Sequence, residues 1–305
     1  MQVRANNHSF EVERFGPEDR ETILLVMGLG GQMTLWPQEL VDELVERGYH
    51  VVRFDNRDVG LSAKFDHLGN PKMSRLILAD ALGFTPKVPY LLDDMAEDAV
   101  GVLDALGIEK AHIVGVSMGG MIAQLIAAHH GDRVLSLTSI MSTTGHKSLS
   151  KPSKKARAAL LTPLPKDPSN MEAVFERMLN TFSVIGSPGY PASDEERRAL
   201  VKEQLERSYH PTGLVRQIAA IVASGDRREM LKKVSAPTVV LHGEDDPLVP
   251  LDGGKDTALH IAGAELITVP GMGHDMPKEL VPQIADAITQ AAKKAQATPA
   301  AQAAE

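Results

Sequence analysis

The stretch "GVSMGG", residues 115–120, follows the apolar run "AHIV" at 111–114 and opens the helix-like pattern "MGGMIAQLIAAHH" at 118–130. Its serine stands in a Gly-x-Ser-x-Gly arrangement, Gly115-Val116-Ser117-Met118-Gly119. Two readings are open for this stretch alone. The glycines can simply let a strand and the following helix pack closely. Alternatively, they tighten the strand-to-helix turn until any side chain at those positions would collide, lifting the serine clear where a base can reach it. The remainder of the chain decides between them.

Strand-like and helix-like stretches alternate on both sides of this turn, the sequence habit of a parallel sheet covered by helices on both faces. "TILLVMG" (22–28) is a continuous apolar run, as expected of a strand buried on both faces. A helical stripe over 35–48 carries Leu40, Val41, Leu44 and Val45 and stops at Gly48. Strand "YHVVRFD" (49–55), helix 91–107 and strand "RVLSLTSIM" (133–141) continue the rhythm. It breaks between 145 and 230, where Pro and charged residues abound and helical patterns dominate. It resumes with strand 238–243, a helix across 254–263, strand 265–271 and helix 277–295. The division expected is a core of 1–144 and 231–295, a helical cap of 145–230, and an unpacked low-complexity tail at 296–305.

A serine nucleophile requires a histidine as general base and a carboxylate to hold that histidine. On such a sheet both come from loops at the carboxyl ends of later strands. "HGEDDPLVP" (242–250) follows strand "TVVL" and offers Asp245 and Asp246. "GMGHD" (271–275) follows strand "ELITV" and offers His274. The order Ser, Asp, His is that of the α/β-hydrolase arrangement.

The stretches "LLVMGLGGQMTLW", "VVRFDNRDVGLS", "GVSMGGMIAQ", "LHGEDDPLVP" and "GMGH", spread over residues 22–274, resemble the α/β-hydrolase fold superfamily. Within it they resemble the capped, esterase-like branch of aclacinomycin methylesterase-type hydrolases. The resemblance implies a mostly parallel sheet flanked by helices with an inserted cap. It also implies that the acid is Asp246, the third residue after Gly243, with Asp245 as the fallback. The branch's usual His-Gly after the first core strand is Met27-Gly28 here, a departure that bears on loop packing more than on chemistry. Carbonyl attack creates an oxyanion that two backbone N–H groups must receive. Met118, after the nucleophile, and Leu29, in "GLGG", are expected to supply them.

The chemistry so implied is cleavage of a carboxylic ester, or a related acyl bond, of a small and largely apolar molecule through an acyl-enzyme. Because the base must be neutral, activity is expected to fall below about pH 6–7. The same triad serves thioesterase, lactonase, perhydrolase and carbon–carbon bond hydrolase chemistry, and the fold also admits a small-molecule receptor with little turnover. A carboxylate at position 117 would be needed for haloalkane dehalogenase or epoxide hydrolase chemistry. Dinucleotide binding at Gly28-Leu29-Gly30 fails because Met33 occupies the third glycine position of G-x-G-x-x-G, and "GVSMGG" lacks the lysine of a phosphate loop.

Composition sets the outer bounds. The chain has 305 residues, 43% hydrophobic and 24% charged, with a formal net charge of -8 and no cysteine. The acidic balance gives no footprint for nucleic acid or an anionic membrane surface. Cysteine nucleophiles, disulfides and thiolate metal sites are excluded, and no carboxylate/histidine spacing suggests a metal site. Neither cofactor nor metal is expected, and the N-terminus carries no signal-like apolar stretch, so a cytoplasmic protein is expected. The charges of "FDNRDVGLS" are expected to pair and cap backbone groups near the site. His112, His242, His129 and His130 are expected to be structural, and the basic run 146–157 to be a solvated face. The oligomeric state is not legible.

Overall fold

A computed structural model describes residues 1–305 except 73, 75, 77, 80, 81, 83, 163–169 and 303–305. Residues 163–169 of the expected cap and 303–305 of the expected tail therefore lie outside the described residues. Eight strands, β1 (Gln2–Ala5), β2 (His8–Phe15), β3 (Thr22–Val26), β4 (His50–Phe54), β5 (Ala111–Val116), β6 (Val134–Ile140), β7 (Thr238–Gly243) and β8 (Glu265–Val269), form one sheet. Its order is β1-β2-β4-β3-β5-β6-β7-β8. From β4 through β8 all pairings are parallel. β1 pairs antiparallel with β2, and β2 antiparallel with β4. This edge hairpin was not among the strands expected from the sequence. Its signal is the turn Asn6-Asn7, where φ is 50° and 66°, a backbone that asparagine tolerates better than most residues.

The continuous apolar runs are explained by burial along the whole length of β3, β4, β5 and β7. Alternate residues of one strand face opposite layers. Leu24, Val26, Val52 and Phe54 pack with Met95 and Val102 of helix α2 (Leu92–Ala105) and Ile122 and Ile126 of α3 (Met118–His129). Ile23, Leu25, Val51 and Leu241 pack on the other face with Leu40 and Leu44 of α1 (Gln38–Glu46) and with Ile284 and Ile288 of the C-terminal helix. Each such side chain contributes on the order of 1.5–3 kcal/mol by leaving water.

The helix expected across 254–263 is Asp252–His260, the C-terminal helix starts at Val281 rather than 277, and two further boundaries differ for reasons the sequence holds. Instead of a helix from Leu35, Met33–Leu35 makes a single 3-10 turn and α1 starts only after Pro37. Trp36, the residue before that proline, is extended at φ -67° and ψ 120°, because proline's ring disfavours helical backbone in its predecessor. The C-terminal helix runs from Val281 to Gln302, past the expected end, since its alanine-rich sequence propagates helix. Ala291 and Ala292 are buried, whereas none of residues 293–297 is.

Between β6 and β7 lie α4 (Lys154–Leu161), α5 (Met171–Ile185), α6 (Asp194–Arg207), α7 (Pro211–Ser224) and the short α8 (Arg228–Leu231). Their starts carry the expected chemistry. Ser153 and Asn170 cap α4 and α5 through their side-chain oxygens. Ser193 and Glu196 form a reciprocal capping box on α6, and Pro211 opens α7. Two buried arginines tie this insertion to the sheet domain. Arg227 donates to the Thr143 carbonyl at 2.8 Å and the Gly225 carbonyl at 3.0 Å, joining the segments where the chain leaves and re-enters the sheet. Arg216 of α7 grips Asp58 after β4 with two bonds of 2.8 and 2.7 Å. Helix α9 (Asp252–His260) follows β7, and α10 (Val281–Gln302) follows β8.

Candidate active site

Ser117 sits between β5 and α3 with φ 55° and ψ -120°, a backbone that costs a non-glycine residue of order 1–3 kcal/mol. The flanking glycines are what make it attainable. A Cβ at Gly115 would lie 2.1 Å from the Gly119 carbonyl oxygen, and one at Gly119 would lie 2.0 Å from the Val26 carbonyl oxygen. Both distances are far inside contact, so the turn admits no side chain at either position. Two bonds hold the strained residue: its N–H donates to the Ile140 carbonyl at 2.9 Å, and its carbonyl accepts from the Ser142 hydroxyl at 2.7 Å.

The structure brings Ser117, His274 and Asp246 together. His274 Nε2 stands 2.9 Å from Ser117 Oγ, and His274 Nδ1 stands 2.7 Å from Asp246 Oδ2. The other carboxylate oxygen of Asp246 accepts from the Leu248 and Val249 amides, each at 2.8 Å. Those bonds suit an ionised carboxylate and fix its rotamer. Asp245 points elsewhere: its carboxylate accepts from the Gly271 amide at 2.8 Å and secures the loop carrying the histidine. That loop also rests on the insertion, with the His274 amide donating to the Ile185 carbonyl at 2.8 Å.

The loop after β3 reaches the same point. A Cβ at Gly28 would lie 3.2 Å from Ser117 Cβ and 3.7 Å from its Oγ, so the segment that continues into Leu29 packs directly against the serine. Met118 begins α3, with its amide at the helix's positive end. The loop is held from two sides. Asn56 donates to the Met27 carbonyl at 2.9 Å, and Gln217 of α7 accepts from the Gly30 amide at 2.8 Å while donating to the Arg57 carbonyl at 2.8 Å.

One residue here, Gln217, lay outside the sequence reading, and another, His242, lay within it. Gln217 carried no local signal, since its partner Gly30 is 187 residues away. His242 was expected to be structural, and it is fully buried with Nε2 2.7 Å from the Val249 carbonyl. That nitrogen is also 3.7 Å from Asp246 Oδ2, so His242 anchors the turn that positions the acid. Burial pushes its imidazole below the ordinary histidine value, which keeps it a neutral donor. The charges of "FDNRDVGLS" do pair and cap. Asp55 accepts from the Met33 and Leu61 amides, Arg57 pairs with Asp98, and Asp58 with Arg216.

Ser117 and His274 open into a cavity of about 1490 Å³ between the sheet domain and the insertion, walled by Met121, Met141, Met178, Phe182, Leu214 and Ile221 among others. Ligand pockets are commonly ~300–1,000 Å³, so this one has room for more than a compact ester.

A strained serine on a strand-to-helix turn, facing a histidine and an aspartate at the ends of later parallel strands, defines the α/β-hydrolase class of architecture. The chain belongs to that family: residues 21–279 match the alpha/beta hydrolase fold. It is similar to rhodomycin D methylesterase of Streptomyces peucetius, 27% identical over 295 residues that cover 90% of this chain and 92% of the relative. It is also similar to a 2-hydroxy-6-oxononadienedioate/2-hydroxy-6-oxononatrienedioate hydrolase of Paraburkholderia xenovorans, 32% identical over 206 residues, 66% of this chain and 70% of that one. Among solved structures, a meta-cleavage product hydrolase from Pseudomonas fluorescens superposes with a TM-score of 0.75 at 20% identity, covering 97% of this chain and 98% of that one. The named activities of these relatives are hydrolytic. Among the described residues, no helix is long and apolar enough to cross a membrane.

Proposed function

We propose that this protein is a serine hydrolase cleaving a carboxylic ester of a largely apolar small molecule. The observation that carries the reading is the relay of 2.7 and 2.9 Å from Asp246 through His274 to a positive-φ serine facing the cavity. In the first half-reaction Ser117 Oγ attacks the ester carbonyl carbon while His274 Nε2 takes the hydroxyl proton. Asp246 stabilises the resulting imidazolium, and the Leu29 and Met118 amides receive the oxyanion, each worth about 3 kcal/mol of barrier. The carbon–oxygen bond breaks, His274 returns the proton to the departing alcohol, and an acyl-serine remains. Water then attacks with the same base, releasing the acid and restoring the hydroxyl. The insertion, residues 145–230, acts as a cap whose cavity wall selects the substrate. The likeness to the methylesterase along nine-tenths of the chain supports ester chemistry in particular.

A second reading rests on the dienedioate hydrolase relative: the same serine, base and oxyanion site could cleave a carbon–carbon bond next to a ketone. Stopped-flow turnover of p-nitrophenyl esters tests the first. The expected result is a burst of nitrophenol stoichiometric with enzyme, with kcat lowered about 10⁴–10⁶-fold in Ser117→Ala. Ester turnover equal in wild type and Ser117→Ala would remove the serine from the mechanism. Cleavage of a vinylogous diketo acid in preference to every ester would favour the second reading.

A further inference from the structure

Three arginines line the cavity, and two have carboxylate partners: Arg53 pairs with Glu13 at 2.6 Å and Arg197 pairs with Asp194. The third is Arg177 on the cavity side of α5. It is half-buried, and its Nε donates to the Thr162 carbonyl at 3.0 Å. Its two terminal nitrogens have no hydrogen-bond partner, and the group has no acidic partner, among the described residues. Beside it is Tyr209, which shares the cavity wall.

An arginine in an apolar wall without a counter-ion is costly, because burial disfavours the charged form and nothing returns the lost hydration. Burial accordingly pushes the Arg177 guanidinium below its ordinary value, offset by the nearby Tyr209. The two acidic groups of the cavity lining that are not exposed are already engaged: Asp58 with Arg216 and Asp275 with Ser187. Without an acidic partner among the described residues, the cation lines a largely apolar space that opens onto Ser117.

We propose that Arg177 is a specificity-determining residue that binds a carboxylate at the end of the substrate remote from the scissile ester, so that the preferred substrate is an ester-acid rather than a neutral ester. The guanidinium's two terminal N–H groups accommodate a carboxylate side-on, a bidentate geometry that a lysine cannot reproduce. This assignment rests on the serine hydrolase reading for the ester half of the substrate and on Arg177 alone for the acid half.

Binding and turnover separate the two. The probes are monomethyl esters of adipic, suberic, sebacic and dodecanedioic acids, each beside its dimethyl ester. With Ser117→Ala, which binds without turnover, calorimetry should find at least one monoester bound about ten- to a hundredfold tighter than its dimethyl counterpart. The preference should collapse in Ser117→Ala/Arg177→Gln, recover partly with Arg177→Lys, and weaken with added salt. The chain length giving the largest preference reports the separation of Arg177 from Ser117. In the catalytically intact background, Arg177→Gln should raise KM for the monoester several-fold more than KM for the dimethyl ester, and equal melting temperatures show that the variant is folded. Equal affinity of Ser117→Ala for mono- and diesters at every length overturns the inference, as does a preference that survives Arg177→Gln. Charge-selective binding in a protein that hydrolyses no ester would leave the carboxylate site standing and overturn the serine hydrolase reading instead.

Discussion

At the scale of single residues, the site rests on what cannot be added to it. Position 119 has 2.0 Å between a prospective Cβ and the Val26 carbonyl oxygen, and that oxygen belongs to the backbone of a buried strand with nowhere to move. Gly119→Ala is therefore expected to destabilise the protein by about 3 kcal/mol or more, seen as a lowered urea midpoint or loss of soluble protein. A midpoint equal to wild type would mean that the turn is looser than drawn. The glycines, Ser117, Asp246 and His274 were legible in the sequence because each lies at the end of its own apolar run, where chain order alone places it on the sheet's carboxyl edge. Gln217 was not, and of His242 only the structural role was legible, not its partner. Their contacts with Gly30 and the 246–249 turn are fixed by tertiary packing rather than by any local pattern. Arg177 was equally silent, since an arginine on a helix reads as a solvated face until the opposite wall of a cavity is known.

Among elements, the parallel strands were legible as continuous apolar runs, whereas β1 alternates exposed with buried residues and β2 has only Phe10 and Val12 buried. The insertion's helices were legible in kind, but its attachment was not, because Arg216 on α7 and Asp58 after β4 are 158 residues apart. Burial pushes the Asp58 carboxyl up, yet the bonds from Arg216, the Phe65 amide and the Tyr90 hydroxyl outweigh it and hold the group below the usual carboxylate range. A folded value below the unfolded one contributes stability that is present above about pH 4 and is lost as pH falls through the folded value. Arg216→Met strands a buried carboxylate and is expected to cost about 3–5 kcal/mol at neutral pH. Adding Asp58→Asn should recover much of that loss and remove the pair's share of the acid sensitivity. Additive losses in the double variant, measured by urea unfolding, would show that the two groups do not act as a pair.

The whole molecule buries histidines in the sheet far from its catalytic edge as well as near it. Burial leads in pushing His50, His112 and His242 below the ordinary value, so each is carried neutral in the fold. Unfolding frees them to take protons, and the stability they contribute is present above about pH 6.5 and declines as pH falls toward their folded values. The urea midpoint is therefore expected to drop between neutral pH and about pH 5, before the Asp58 pair titrates. A midpoint unchanged over that interval would contradict neutral burial.

The central claim concerns Ser117 as a nucleophile activated by His274. The most direct measurement is reaction of the folded protein with a fluorophosphonate, followed by intact mass and peptide mapping. One adduct per chain on Ser117, absent in Ser117→Ala and formed far more slowly in His274→Ala, is the expected result. Folded protein that takes no adduct, or an adduct that persists in Ser117→Ala, would contradict the account.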